Sequence, residues 1–250
     1  MPTRWLKLTV AYDDTAYAGW QMQPTEPTVQ AAIETAWHEI TREQLRVTAA
    51  GRTDAGVHAL GQVVGLATES QLSTADLHRG LNAVLPDDVA VVAVEEAREG
   101  FHATHDAIAK TYRYQIHNGR TPDIFNRLYV WHYPQLLDAE KMHAAAQCLL
   151  GKHDFSSFES AGSERPNSIR TLTTVAVVRG TGSFADRIVV EVTGDGFLYN
   201  MVRAIVGTLA EVGKGSREVA WPAQVLAACD RRAAGQTAPP HGLFLVSVEY

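Results

Sequence analysis

Asp54 lies in the stretch GRTDAGVHA at residues 51–59, where Arg52, Asp54 and His58 are set among mostly small residues. A carboxylate so placed can act as a nucleophile at an electrophilic sugar or base carbon without a cofactor. It needs access and a cation that keeps it ionised. Glycine and alanine let a partner approach the backbone closely. Either Arg52, two residues away, or Arg203, in FLYNMVRAIVG, could supply the cation. The same Asp-x-Gly order also suits a carboxylate that only holds a turn through an Asx hydrogen bond. Tyr112, in AKTYRYQI, is the second candidate. A tyrosine on the open face of a sheet is a platform for an unpaired base. Tyr114 faces the same side, and Lys110 and Arg113 alternate with the two rings. Both tyrosines could equally pack in a core.

Other chemistries find little support. There is no P-loop, no GxGxxG after a strand, no Cys-x-x-Cys and no GxSxG. His102 and His105 lie three apart with only Asp106 near them, so a structural or solvent-facing role is expected over zinc. Neither a cofactor nor a metal is expected. Cys148 and Cys229 both sit in alanine- and leucine-rich stretches and read as two buried thiols, not a disulfide.

The elements that position these residues can be read from periodicity. LKLTVAY at 6–12 alternates like a strand, and TVQAAIETAWHEI at 28–40 has helical spacing. LRVTAA and GQVVGLAT read as strands flanking the Asp54 stretch. STADLHRGLNAVL is a helix capped by Ser73, and VAVVAVEE reads as a buried strand. The second part gives strand KTYRYQIHN, helix DAEKMHAAAQCLL, strands IRTLTTVAVVR and RIVVEVTG, helix FLYNMVRAIVGTLAEVG and strand LFLVSVEY, with an extra helix at PAQVLAACDR. The order β-α-β-β-α-β thus occurs twice. It predicts an α+β fold of two ferredoxin-like, RRM-like halves with mainly antiparallel sheets, joined around a central cleft. The boundary falls near residue 103. Residues 1–103 carry the Asp54 loop; residues 104–250 carry Tyr112 and the Arg203 helix.

The 250 residues have a formal net charge of −6, which by itself argues against a nucleic-acid partner. The acid is localised, however. Residues 69–99 hold seven acidic residues against two basic ones, whereas residues 160–217, with Glu164 and Arg165 counted, hold five against seven. A basic face elsewhere is compatible with the total. No apolar run is long enough to span a bilayer, and the N-terminus lacks a signal peptide's apolar core, so a cytoplasmic protein is expected.

Together these stretches closely resemble the tRNA pseudouridine synthases of the TruA type. YAGWQ at 17–21, GRTDAGVHA at 51–59, KTYRY at 110–114, HDFSSF at 153–158, GFLYNMVRAIVGTLAEVG at 196–213 and TAPPHGLFLVSVEY at 237–250 follow in that family's order. The resemblance implies a cofactor-free homodimer that isomerises uridine to pseudouridine in the anticodon arm of tRNA, around positions 38 to 40. It implies that Asp54 is the nucleophile and that Tyr112 stacks on the target base. Arg52 would help extrude the nucleotide, Arg203 would partner the catalytic carboxylate, and Leu245 would line the base pocket. Two departures stand out. DDT replaces the usual DGT, so Asp14 stands in place of a glycine. FHATH replaces FHARF or FHARY, so Thr104 stands in place of an arginine. The competing readings are a non-catalytic RNA-binding protein on the same fold and a carboxylate-dependent hydrolase, which would want a second catalytic carboxylate.

Overall fold

The computed structural model describes residues 3–162 and 167–250; Glu164 and Arg165, counted in the charge balance above, lie outside the described residues. The chain divides into two compact units, Met1–Ile108 with Phe244–Tyr250, and Ala109–Leu243. It is an α+β protein whose strand pairs are mainly antiparallel.

The first unit runs β1 (Arg4–Tyr12), α1 (Val29–Thr41), β2 (Thr48–Ala49), β3 (His58–Thr68), α2 (Thr74–Val84) and β4 (Val89–Ala97). β1 lies between β4 and β3, antiparallel to both, and β2 pairs with the far side of β3. Alternation in β1 sends Leu6, Leu8, Val10 and Tyr12 to the buried face, as a half-covered sheet requires. α1 buries Val29, Ile33, Ala36 and Trp37; α2 buries Leu77 and Leu81. The Ser73 cap forms as its sequence predicts, accepting the Asp76 amide at 3.1 Å. The C-terminal strand, Leu243–Glu249, runs parallel to the start of β3, with Phe244 opposite His58 and Leu245 opposite Ala59.

Two expectations here need correction. VAVVAVEE does not form a buried strand: Val92 is 55% exposed, because one face of β4 is left open. LRVTAA contributes only Thr48–Ala49 to the sheet, because the chain leaves β3 after Ala50 to form the Asp54 loop.

The second unit contains β5 (Ala109–His117), β6 (Trp131–His132), α3 (Ala139–Ala146), β7 (Gly151–Asp154), β8 (Ile169–Arg179), β9 (Arg187–Gly194), α4 (Met201–Gly213) and α5 (Trp221–Ala228). Antiparallel pairing gives the order β5, β9, β8, β7, with β6 parallel to β5. α3 packs on β8 and α4. α4 starts at Met201, later than FLYNMVR suggests, since Asn200 adopts a left-handed conformation that cannot continue a helix. Cys148 is half-buried and Cys229 exposed, so the expectation of two buried thiols fails: Cys229 turns left-handed just past the end of α5 and faces solvent.

α4 is nearly all buried, and the segment after α5 lies directly on it. A Cβ at Gly207 would sit 1.8 Å from the Gln236 carbonyl oxygen. Gly207→Ala must therefore push that backbone off the helix. It is expected to cost at least about 2 kcal/mol, read as a lower urea midpoint at unchanged slope.

Candidate active site

The Asp54 loop is held from several sides. The Val57 amide donates to the Asp54 carbonyl at 3.0 Å, closing a turn over residues 54–57. Gly56, third in that turn, has φ +78°, while Ala55 keeps a negative φ, so the turn is type II. Gly51 is anchored by the Gln62 side-chain amide at 2.7 Å. Thr53, buried, shares a 2.7 Å hydrogen bond with the Tyr12 hydroxyl, and its carbonyl accepts the Trp20 amide at 3.0 Å. Gly19 makes this approach feasible: at φ +89°, its Cβ would lie 2.8 Å from the Thr53 carbonyl oxygen and 3.1 Å from the Asp54 carbonyl carbon. Asp54 itself stays half-exposed, and Arg52 is exposed.

Beneath the loop lie two more acids. Asp14 is wholly buried, and its Oδ2 accepts the Gly56 amide at 2.7 Å. Burial pushes its carboxyl up from the ordinary 3.8 to about 7. The Gly56 and Gly19 amides oppose that rise, and the charges of Asp13 and Asp54 add to it. His58 is buried and stacks on Phe244 with ring centres 4.9 Å apart. Its Nδ1 lies 3.1 Å from both the Asp14 amide and Asp13 Oδ1. One ring nitrogen cannot accept from the first and donate to the second. Asp13 Oδ1 already receives the Thr15 amide at 3.0 Å and hydroxyl at 2.6 Å, so the amide is the better partner and Nδ1 the acceptor. His58 is thereby tied to the segment that carries Asp14.

In the second unit, Arg203 is oriented in advance of any substrate. Its Nε donates to the Ala238 carbonyl at 2.7 Å and Nη1 to Asn200 Oδ1 at 2.6 Å. The Ala238 amide returns a bond to the Arg203 carbonyl at 3.1 Å. Gly207 lets that segment lie flat, and left-handed Asn200 turns its amide side chain back onto the arginine. Tyr112 and Tyr114 are both buried, Tyr112 at 8% exposure. The Tyr112 ring meets Phe197 edge-on with centres 4.9 Å apart. Tyr114 donates to the Pro239 carbonyl at 2.7 Å and belongs to the core. Arg113 pairs with Glu191 across the β5–β9 ladder, so it does not join Tyr112 as a free basic group. In the first unit, Leu245 is fully buried beside the start of β3.

The sequence pattern of the tRNA pseudouridine synthase family matches residues 9–106 and 145–250. Among curated relatives, a tRNA pseudouridine synthase A from Brevibacillus brevis is 44% identical over 98% of this chain and 99% of its own. One from Acetivibrio thermocellus is 45% identical with the same shares, and one from Myxococcus xanthus is 44% identical over 98% and 91%. The chain belongs to the tRNA pseudouridine synthase family. Within this family member, Asp54 is in the first unit together with Arg52 and Leu245, whereas Tyr112 and Arg203 are in the second. Sequence reasoning assigned no role to Gly19, Asp14, Asn200 or Ala238. Gly19 lay in a recognised motif and Asp14 was visible as a departure, but their contacts with the loop depend on the folded chain. His102 and His105 stack on each other, and no cluster of three or more His, Cys, Asp or Glu among the described residues is arranged for a metal. No helix among them is long and apolar enough to cross a membrane.

Asp14 also sets a pH dependence of stability. Its folded value lies above its unfolded one, so the folded state holds a proton that the unfolded chain releases between about pH 4 and pH 7. That contribution is complete below about pH 4 and lost as pH rises through about 7. Asp14→Asn removes it. The melting temperature of the variant minus that of wild type is expected to become more positive from pH 5 to pH 8.

Proposed function

We propose that this protein isomerises uridine to pseudouridine in the anticodon arm of tRNA, around positions 38 to 40, with Asp54 as nucleophile. The observation that carries the reading is the Asp54 loop itself. A half-exposed carboxylate sits on a turn braced at Gly51, Thr53 and Gly56, in a member of a family named for this reaction. Uridine and pseudouridine are isomers, so no co-reactant is consumed. The glycosidic C–N bond breaks, the uracil turns, and a C–C bond forms to the same sugar.

The target base must leave its stack, at a cost of a few kcal/mol. Exposed Arg52 is proposed to hold phosphate and occupy the vacated space. Tyr112 would give the extruded uracil a ring to stack on, after a shift that opens its buried face. Asp54 then attacks C1′ of the sugar or C6 of the base, or assists elimination at the sugar. Arg203 is the cation proposed to favour the ionised carboxylate, already oriented by Asn200 and Ala238. Leu245 is proposed to line the base pocket. The same reading has the protein act as a cytoplasmic homodimer and derives each unit from a ferredoxin-like plan. It also keeps 1–103 and 104–250 as the functional halves.

The test uses unmodified tRNA transcripts with wild type and Asp54→Asn, mapping pseudouridine by carbodiimide-dependent primer-extension stops. Stops in the anticodon arm are expected with wild type alone, while the variant still binds tRNA. Stops with the variant would remove Asp54 from the chemistry. No stops with either, on tRNA that binds, would favour a non-catalytic RNA-binding protein.

A further inference from the structure

Among the described residues, Asp14 is the only acidic side chain that is fully buried, and the proposed reaction does not use it. Four segments pack around it: its own short turn Asp14–Ala16, the chain at Gly19, the turn 54–57 and the start of β3. The titratable groups facing it are Asp13 and Tyr17 on its own segment, Asp54 on the turn, and His58 on β3, whose ring bonds the Asp14 amide. Asp88 stands behind Tyr17, whose hydroxyl it receives. Asp14 forms no ion pair with a lysine or arginine, and its Oδ1 has no hydrogen-bond partner among the described residues. A carboxyl so placed is costly to bury. Its closest polar contact is with the amide of Gly56, at 2.7 Å, and the Gly19 amide also acts on it.

We infer that Asp14 is a positioning residue for Asp54: its Oδ2 locks the central peptide of the turn 54–57 and so fixes how the Asp54 side chain leaves the loop. Type I and type II turns differ by a flip of the peptide joining their two central residues. Here that peptide joins Ala55 and Gly56, and its N–H is the group that Asp14 accepts. Glycine tolerates either sign of φ, so Gly56 by itself would permit both turns. Asp14 selects type II, because its Oδ2 accepts the N–H that the peptide flip would turn away. The inference rests on the proposed role of Asp54.

The test compares kcat and KM on tRNA for wild type, Asp14→Ala, Asp14→Leu, Asp14→Asn and Asp54→Asn. Asp14→Ala and Asp14→Leu remove the acceptor and are expected to lower kcat roughly tenfold, with KM moved less than about twofold. The leucine variant keeps the branched four-atom shape of the side chain without an unpaired oxygen, and it decides the matter if the alanine variant does not fold. Asp14→Asn keeps an acceptor for Gly56 and is expected to restore most of the loss. Wild-type kcat in the alanine or leucine variant overturns the inference, as does an equal loss in the asparagine variant. Asp54→Asn separates this from a failure of the functional reading. If that variant is active, the role of Asp54 falls. If it is inactive while the Asp14 variants run at full rate, only the role of Asp14 falls.

Discussion

The hydrogen bond from the Trp20 amide to the Thr53 carbonyl, made across a glycine with no side chain in the way, is the contact on which the candidate site depends. It joins the segment after β1 to the loop before β3, two stretches more than thirty residues apart in sequence. Once they are joined, Gly19 lies against the peptides on both sides of Asp54, and the backbone that carries the carboxylate is held. The other braces act from the same side. Tyr12 at the end of β1 fixes the Thr53 hydroxyl, and Gln62 on β3 fixes the Gly51 carbonyl. The sheet thus holds the loop by polar side chains at strand ends, where its apolar packing has already set their direction. A carboxylate held in this way has less entropy to lose when substrate arrives.

Charged groups follow a different logic in each unit. In the first unit Asp54 shares its surroundings with two more acids, and one of them, Asp14, is buried. Its high proton affinity eases the crowding, since a neutral Asp14 adds no repulsion to an ionised Asp54. In the second unit Arg203 is spread over two acceptors, the Ala238 carbonyl and Asn200. A guanidinium with its direction set by backbone and a neighbouring amide presents its donors in a fixed fork. Gly207 and left-handed Asn200 make that arrangement feasible, and neither advertises it by hydrophobic pattern.

Much of the architecture was legible because alternation and helical spacing are local. β1, β5, β8 and β9 and helices α1 and α2 fall close to where Leu6–Tyr12, Val29–Ile40 and their counterparts put them. The departures arise where long-range neighbours decide. Val92 looks buried by composition, but one face of its strand is left uncovered. FLYNM reads as helix until Asn200 turns left-handed. Arg113 reads as a basic group beside Tyr112 until the register with β9 places Glu191 opposite it. The small residues of the Asp54 loop were legible as a means of close approach. What approaches them, Gly19 and the Asp14 carboxyl, was not, because an acid in DDT looks like an ordinary exposed turn residue.

The most direct measurement is hydrogen exchange at the backbone amides of Trp20, Gly56 and Val57 in the wild-type protein without tRNA. If the loop presents Asp54 from a fixed turn, all three amides should exchange roughly a thousandfold or more slowly than in an unstructured peptide, and together. Exchange of Gly56 and Val57 at the free-peptide rate would mean that the turn forms only with substrate, and would contradict a carboxylate positioned in advance.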